Sequence, residues 1–277
     1  MNVAKKLLLS SVTRACAKIS KNTAGQRLLF NALRLNRPEL QQLILDDDIR
    51  FLSYCLSRRE LSRSQILQDL WVCFELGERT DGFFVEFGAT NGVKNSNTWL
   101  LETKLGWKGI LAEPNPLWQA ELALNRKAFI EKNCVSSKTG DVVTFITTND
   151  SDPELSGIAR TSDGDHFAAT RSRGRRIELE TISLDDLLDK YQAPLSIDYM
   201  SIDTEGSELD ILSNYSFRHK FKTISVENNP RNDASIDEIM LSNGYKRVFR
   251  QFSQWDSWYV CSELRDKRQI TVMAPDS

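Results

Sequence analysis

The segment Phe83-Phe84-Val85-Glu86-Phe87-Gly88-Ala89-Thr90-Asn91-Gly92 restricts the fold more than any other part of the chain. A mostly apolar run of strand length leads directly into a turn with two glycines, and a helical pattern follows from Ser96. Such a strand, turn and helix open an α/β sheet whose ligands lie at the carboxyl ends of the strands. Glycine in the turn lets the main chain approach a ligand closely. Twenty-five residues past Gly88, at the end of the next apolar run, stands Glu113. A carboxylate there can accept hydrogen bonds from both hydroxyls of a ribose. Together these features predict a nucleoside-binding α/β domain.

The rest of the chain supports that class. Strands are predicted at Phe83–Phe87, Gly109–Ala112, Ala128–Val135, Val142–Thr147, Ile177–Thr181, Tyr199–Ile202 and Thr223–Val226, with a closing hairpin at Lys246–Phe252 and Trp258–Cys261. Helices fit Ser96–Leu105, Leu117–Asn125, Leu184–Tyr191, Ser207–Tyr215 and Ile236–Asn243. This alternation predicts a mostly parallel sheet covered on both faces, with an antiparallel edge hairpin. Residues 39–77 read as helical, their period broken by Asp46-Asp47-Asp48, so residues 1–77 are expected to form an N-terminal helical extension to a domain at 78–277. Residues 149–176 are polar and lack periodicity, as expected of a lid or binding loop.

The turn also discriminates among nucleosides. A dinucleotide site calls for G-x-G-x-x-G and a bare helix N-terminus for the pyrophosphate. Here the motif is E-F-G-A-T-N-G, and Glu86 would set a negative charge near that pyrophosphate. The same carboxylate suits a ligand with a sulfonium, an ammonium and no phosphate, which describes S-adenosyl-L-methionine. A nicotinamide-dependent oxidoreductase is the enzyme alternative. A non-catalytic cofactor-binding subunit is the alternative outside enzymes.

Several motifs sharpen the choice: Glu86-Phe87-Gly88-Ala89, Ser96-Asn97-Thr98 with Leu101-Glu102, Gly106-Trp107, Glu113-Pro114-Asn115-Pro116, and Ile202-Asp203-Thr204-Glu205-Gly206-Ser207-Glu208-Leu209. With the lead-in Ser64-Gln65 and Gln68-Asp69, their order and spacing resemble the FkbM family of class I methyltransferases across roughly residues 64–260. The resemblance implies a Rossmann-like sheet, S-adenosyl-L-methionine as cofactor and O-methylation of a sugar, glycan or other small polar hydroxyl acceptor. It further implies that Glu86, Gly88 and Asn97 face the methionine end of the cofactor, with Ala89, Asn91 and Gly92 completing the turn. Glu113 would hold the ribose, and Cys134, Val135 and Ser136 would flank the adenine. Asn91 stands where many members of the family carry aspartate.

The acceptor half is read from other residues. Asp203, after an apolar strand, would sit beside the transferred methyl group and contact the cofactor. With Glu205 it is a candidate catalytic acid or base, although both could simply favour the N-terminus of the next helix. Asn97 could likewise be a helix cap. Asp203, Glu227 and Asn228 offer oxygen ligands of the kind Mg²⁺ prefers. His166 is a candidate base by its ordinary titration range, whereas His219 reads as a surface helix end. Arg160, Arg171, Arg173, Arg175 and Arg176 could clamp an anionic acceptor. Trp255-Asp256-Ser257-Trp258-Tyr259 is either a sugar-stacking platform or core.

The net charge of -2 gives no sign of a nucleic-acid partner. Five scattered cysteines form neither a metal motif nor a disulfide framework, so reduced thiols and a cytoplasmic setting are expected. The apolar run after Lys5-Lys6 is too short for a signal peptide or membrane span. Before Glu39, however, the chain has only basic charges, among them Lys5, Lys6, Arg14, Lys18 and Lys21. An amphipathic helix there could rest peripherally on an anionic membrane.

Overall fold

In a computed structural model of the 277-residue chain, the structure describes residues 47–148, 156–158, 174–228 and 231–264, together with 23, 24 and 27. The basic N-terminal segment, His166, Arg160, Arg171 and Arg173 lie outside them. The chain divides into compact units Met1–Ser53 and Tyr54–Ser277, and the site lies in the second. No helix among the described residues is long and apolar enough to cross a membrane.

The helices are α1 (Asp47–Arg58), α2 (Gln68–Leu76), α3 (Trp99–Leu105), α4 (Pro116–Asn125), α5 (Leu184–Lys190), α6 (Glu208–Ser213) and α7 (Asp233–Ser242). The strands are β1 (Phe83–Phe87), β2 (Lys108–Ala112), β3 (Phe129–Glu131), β4 (Cys134–Ser136), β5 (Val142–Thr147), β6 (Gly157–Ile158), β7 (Arg175–Ser183), β8 (Ser196–Ile202), β9 (Lys220–Glu227), β10 (Tyr245–Val248) and β11 (Asp256–Cys261). Asp47 and Asp48 lie in the first turn of α1, where a helix N-terminus favours carboxylates.

The central sheet has the order β10-β11-β9-β8-β1-β2-β3. From β9 to β3 neighbouring strands are parallel, while β11 runs antiparallel to both β9 and β10. The predicted closing hairpin is therefore present, but its second strand inserts between β9 and β10, leaving β10 on the edge. From β1 the chain builds outward through β2 and β3, then returns to β8 on the other side. That reversal opens a crevice beyond the carboxyl ends of β1 and β8.

The two faces of this sheet differ. Alternate residues Val85, Phe87, Met200, Ile202, Ile224, Val226 and Tyr259 join Leu184, Leu187, Ile211, Leu212, Ile236 and Met240 in one apolar cluster under α5, α6 and α7. In the opposite parity, Glu86, Ser201, Ser225 and Trp258 lie side by side in register across β1, β8, β9 and β11. Helix α2 covers that polar face: Trp71 stacks on Trp258 at 4.9 Å, and Gln68 Nε2 donates to Asp256 at 3.0 Å.

Two sequence expectations change. The single strand expected at 128–135 is two, because the Glu131 carboxylate accepts from the amides of Lys132 and Asn133 and turns the chain there. The strands beyond it belong to a second sheet, β4-β7-β5-β6, in which β5 pairs antiparallel with β6 and β7. Its own small core is Cys134, Phe145 and Ile158.

Candidate active site

Two glycines shape the turn after β1. Gly88 has φ +73°, and a Cβ there would lie 2.4 Å from the main-chain oxygen of Asp203. The ends of β1 and β8 thus meet backbone to backbone. Gly92 has φ +78°, and its missing Cβ leaves room for the side chains of Arg126 and Leu122. Ala89 is buried beside them. Asn91 closes the turn: its Oδ1 accepts from the amides of Val93 (3.1 Å) and Lys94 (2.9 Å), and its Nδ2 donates to Glu121.

Glu86 is buried at the end of β1, facing the segment Ser96–Thr98. Its carboxylate accepts from the Asn97 amide at 2.7 Å and from the hydroxyls of Ser96 and Thr98, with the Arg126 guanidinium 3.8 Å away. Burial raises its pKa, opposed chiefly by Arg126. Asn97 does not cap α3. Ser96 Oγ accepts from the amides of Thr98 and Trp99 instead, while Asn97 Nδ2 donates to Ser201 Oγ at 2.9 Å. Asn97 Oδ1 is buried and has no hydrogen-bond partner among the described residues.

Glu113 ends β2 and is also buried. One oxygen accepts from the Thr90 amide (2.7 Å), the other from the Asn115 amide (2.8 Å). Burial pushes its carboxyl up to about 7, and two backbone bonds oppose this. Asn115 caps α4 by accepting from the Leu117 amide, with Pro116 at the first helical position. Cys134 lies within the field of Glu113, and burial pushes its thiol up to about 12. Val135 and Ser136 lie on β4, paired with β7 rather than in the main sheet.

The third part is the turn after β8. Glu208 Oε1 accepts from the amides of Thr204 (3.0 Å) and Gly206 (3.1 Å) and from the Thr204 hydroxyl (2.7 Å). Glu208, not Asp203 or Glu205, therefore ties this turn to the start of α6. The chain passes through positive φ at Glu205 (+57°) and Gly206 (+115°). Carboxylate oxygens of Asp203, Glu205 and Glu227 all lie within 4.8 Å of one another. Burial, then the neighbouring Asp256, raises Asp203 to about 7. Glu227 is raised well above the ordinary carboxylate range, first by the charge of Asp203 and then by burial. Like charges this close cannot both ionise near neutrality, so the pair shares a proton. Asp256, opposite Glu227 on β11, is itself raised to about 7 by burial.

The expected oxygen cluster of Asp203, Glu227 and Asn228 gains a member. Glu205 joins the two acids, while Asn228 donates through Nδ2 to Asp233 and to Ser257 Oγ and keeps a buried Oδ1 without a partner among the described residues. His219 is a second revision: it is buried in the loop before β9, not a surface helix end. Trp258 and Tyr259 are core, while Trp255 is exposed. Arg175 and Arg176 are exposed at the start of β7. Arg126 was not singled out in sequence, and Glu208 and Asp256 stood there only inside longer motifs with no role of their own. Arg126 and Asp256 act on residues distant in the chain, whereas Glu208 bonds residues two and four positions before it.

A Rossmann-like sheet with a glycine turn after β1, an acid after β2 and a carboxylate cluster after β8 is the architecture of a class I methyltransferase. Residues 86–247, more than half of the chain, match the Methyltransferase FkbM domain. The chain belongs to the FkbM methyltransferase family, whose members use S-adenosylmethionine. No curated protein matches the chain. Two of the solved structures similar to it are methyltransferases. One is precorrin-6y C5,15-methyltransferase from Geobacter metallireducens GS-15, at 12% identity, covering 69% of this chain and 84% of that one, with a TM-score of 0.35. The other, described as an RNA methyltransferase, comes from Pyrococcus horikoshii, at 11% identity, 70% and 81% coverage and a TM-score of 0.34.

Proposed function

We propose that the protein O-methylates a hydroxyl on a sugar, glycan or similar small polar acceptor, with Asp203 as the general base. The observation that carries this reading is the proton-sharing pair Asp203–Glu227, placed where β8 touches the glycine turn. A hydroxyl is a poor nucleophile until its proton leaves, and a base poised near neutrality serves best. Asp203, raised to about 7 beside Glu227, is the group placed to take the acceptor's proton.

The cofactor-facing residues fit the ligand the family uses. Asn97 Oδ1 is a buried acceptor lacking a donor, as an α-ammonium would supply. Glu113 is a buried carboxylate with one backbone donor on each oxygen, so both ribose hydroxyls can still donate to it. The small buried residues Cys134, Val135 and Ser136 suit a flat base. When bound, S-adenosylmethionine supplies the methyl group on its sulfonium. The chain's own part is alignment and proton removal, since holding the reacting atoms in line is most of the work in such a displacement.

The three clustered carboxylates favour a second version of this reading, in which Asp203, Glu205 and Glu227 hold Mg²⁺ and the ion acidifies the acceptor hydroxyl. Incubating the protein with labelled cofactor and fractionated glycans, with and without chelator, tests both versions. A labelled ether that forms despite chelation supports Asp203 as base; loss of labelling with chelator supports the ion. Label transferred only to nitrogen or carbon would overturn O-methylation. Peripheral membrane contact through the basic N-terminus and a cytoplasmic setting are part of the same reading, and a vesicle co-sedimentation assay checks the first.

A further inference from the structure

We propose that Arg126 is the positioning residue for the amino-acid end of the cofactor, holding Ser96–Thr98 against Glu86 so that Asn97 keeps its buried carbonyl oxygen for the ligand. This rests on the assignment of that end of the cofactor to Asn97 under the proposed function.

Arg126 stands just past the last residue of α4, and its side chain is fully buried. Nε donates to Glu102 at 2.6 Å, tying the guanidinium to α3. Nη1 donates to the main-chain oxygen of Gly92 (3.0 Å) and to Ser96 Oγ (3.1 Å), and Nη2 to Thr98 Oγ1 (2.8 Å). The group lies over the Phe84 ring, 5.5 Å from its centre, and 3.8 Å from Glu86. One planar fork thus touches both ends of the chain between Gly92 and Thr98. The turn is shaped to admit it, since a Cβ on Gly92 would come within 2.6 Å of Arg126 Cγ.

The consequence falls on Asn97. Its amide is fixed on Glu86 and its Nδ2 on Ser201, so the residue is held at two points and its Oδ1 is left unpaired. Lysine would keep the charge but lose the fork that reaches Gly92, Ser96, Thr98 and Glu102 together.

The test compares two ligands by calorimetry on the full chain: S-adenosylhomocysteine, and 5′-methylthioadenosine, which lacks the amino-acid end. Arg126→Lys is expected to weaken the first by about tenfold or more and the second by less than about twofold. Glu102→Gln, which loosens the Nε anchor and leaves Arg126 in place, should show the same split at smaller size, and it serves if Arg126→Lys does not fold. Equal weakening of both ligands, or none, overturns the proposal. A wild-type chain that binds neither ligand overturns the cofactor assignment itself, before any variant is made.

Discussion

The carboxylates at the ends of β1 and β2 are buried and those at the ends of β8 and β9 half-buried, and the two pairs keep opposite company. Glu86 and Glu113 face donors: backbone amides, hydroxyls and, for Glu86, a guanidinium. Asp203 and Glu227 face each other, with Asp256 behind them. A buried carboxylate among donors is a fixed fitting that orients what it touches. Carboxylates facing each other hold a proton loosely enough to exchange it near neutral pH. Under the proposed function the first pair serves binding and the second chemistry.

The sharpest way to break this division is Asp203→Asn. It removes the base while keeping the shape, and methyl transfer should fall by about 10²- to 10⁴-fold in kcat. Cofactor affinity measured by calorimetry should change far less. Comparable losses in both would place Asp203 with the binding half. Next in size, Met200→Ala on the apolar face should cost about 2–5 kcal/mol in denaturant unfolding, with cofactor affinity retained in the folded fraction. Glu113→Gln should then weaken cofactor binding by about 1.5–3 kcal/mol, because it removes the charge from hydrogen bonds to the ribose. An unchanged dissociation constant would take Glu113 out of the binding half.

The pH dependence is a smaller effect and draws on both halves. Asp203, Asp256 and Glu113 bind their protons more tightly folded than unfolded, with folded values of about 7. Between their ordinary range near pH 4 and pH 7, the folded ligand-free chain holds protons that the unfolded chain has released. Stability from these groups is therefore present at the acidic end and lost as pH rises through about 7. Midpoints of thermal unfolding should be higher at pH 5.5 than at pH 8, and Asp203→Asn should flatten the trend. The smallest effect is expected at Asn91, where alanine removes a local turn bond and should cost about 1 kcal/mol or less in denaturant unfolding.

How much of this was legible in sequence depended on distance along the chain. The β1 turn and Glu113 were readable because strand, glycine and acid follow one another within a short span. Asp203 was readable for the same reason. Glu205 was assigned to catalysis, but its place in the cluster depends on a positive φ that sequence spacing does not reveal. Arg126 and Asp256 reach their partners only through the folded sheet. The split at Glu131 depends on a side chain bonding its own neighbours' amides, which an apolar run conceals. His219 was misread because the chain around it looks polar while the fold buries it.

The contact between Gly88 and the Asp203 carbonyl has a further consequence. The glycine turn and the end of β8 meet there main chain to main chain, so the distance between the turn and the Asp203 cluster is set by the register of β1 against β8.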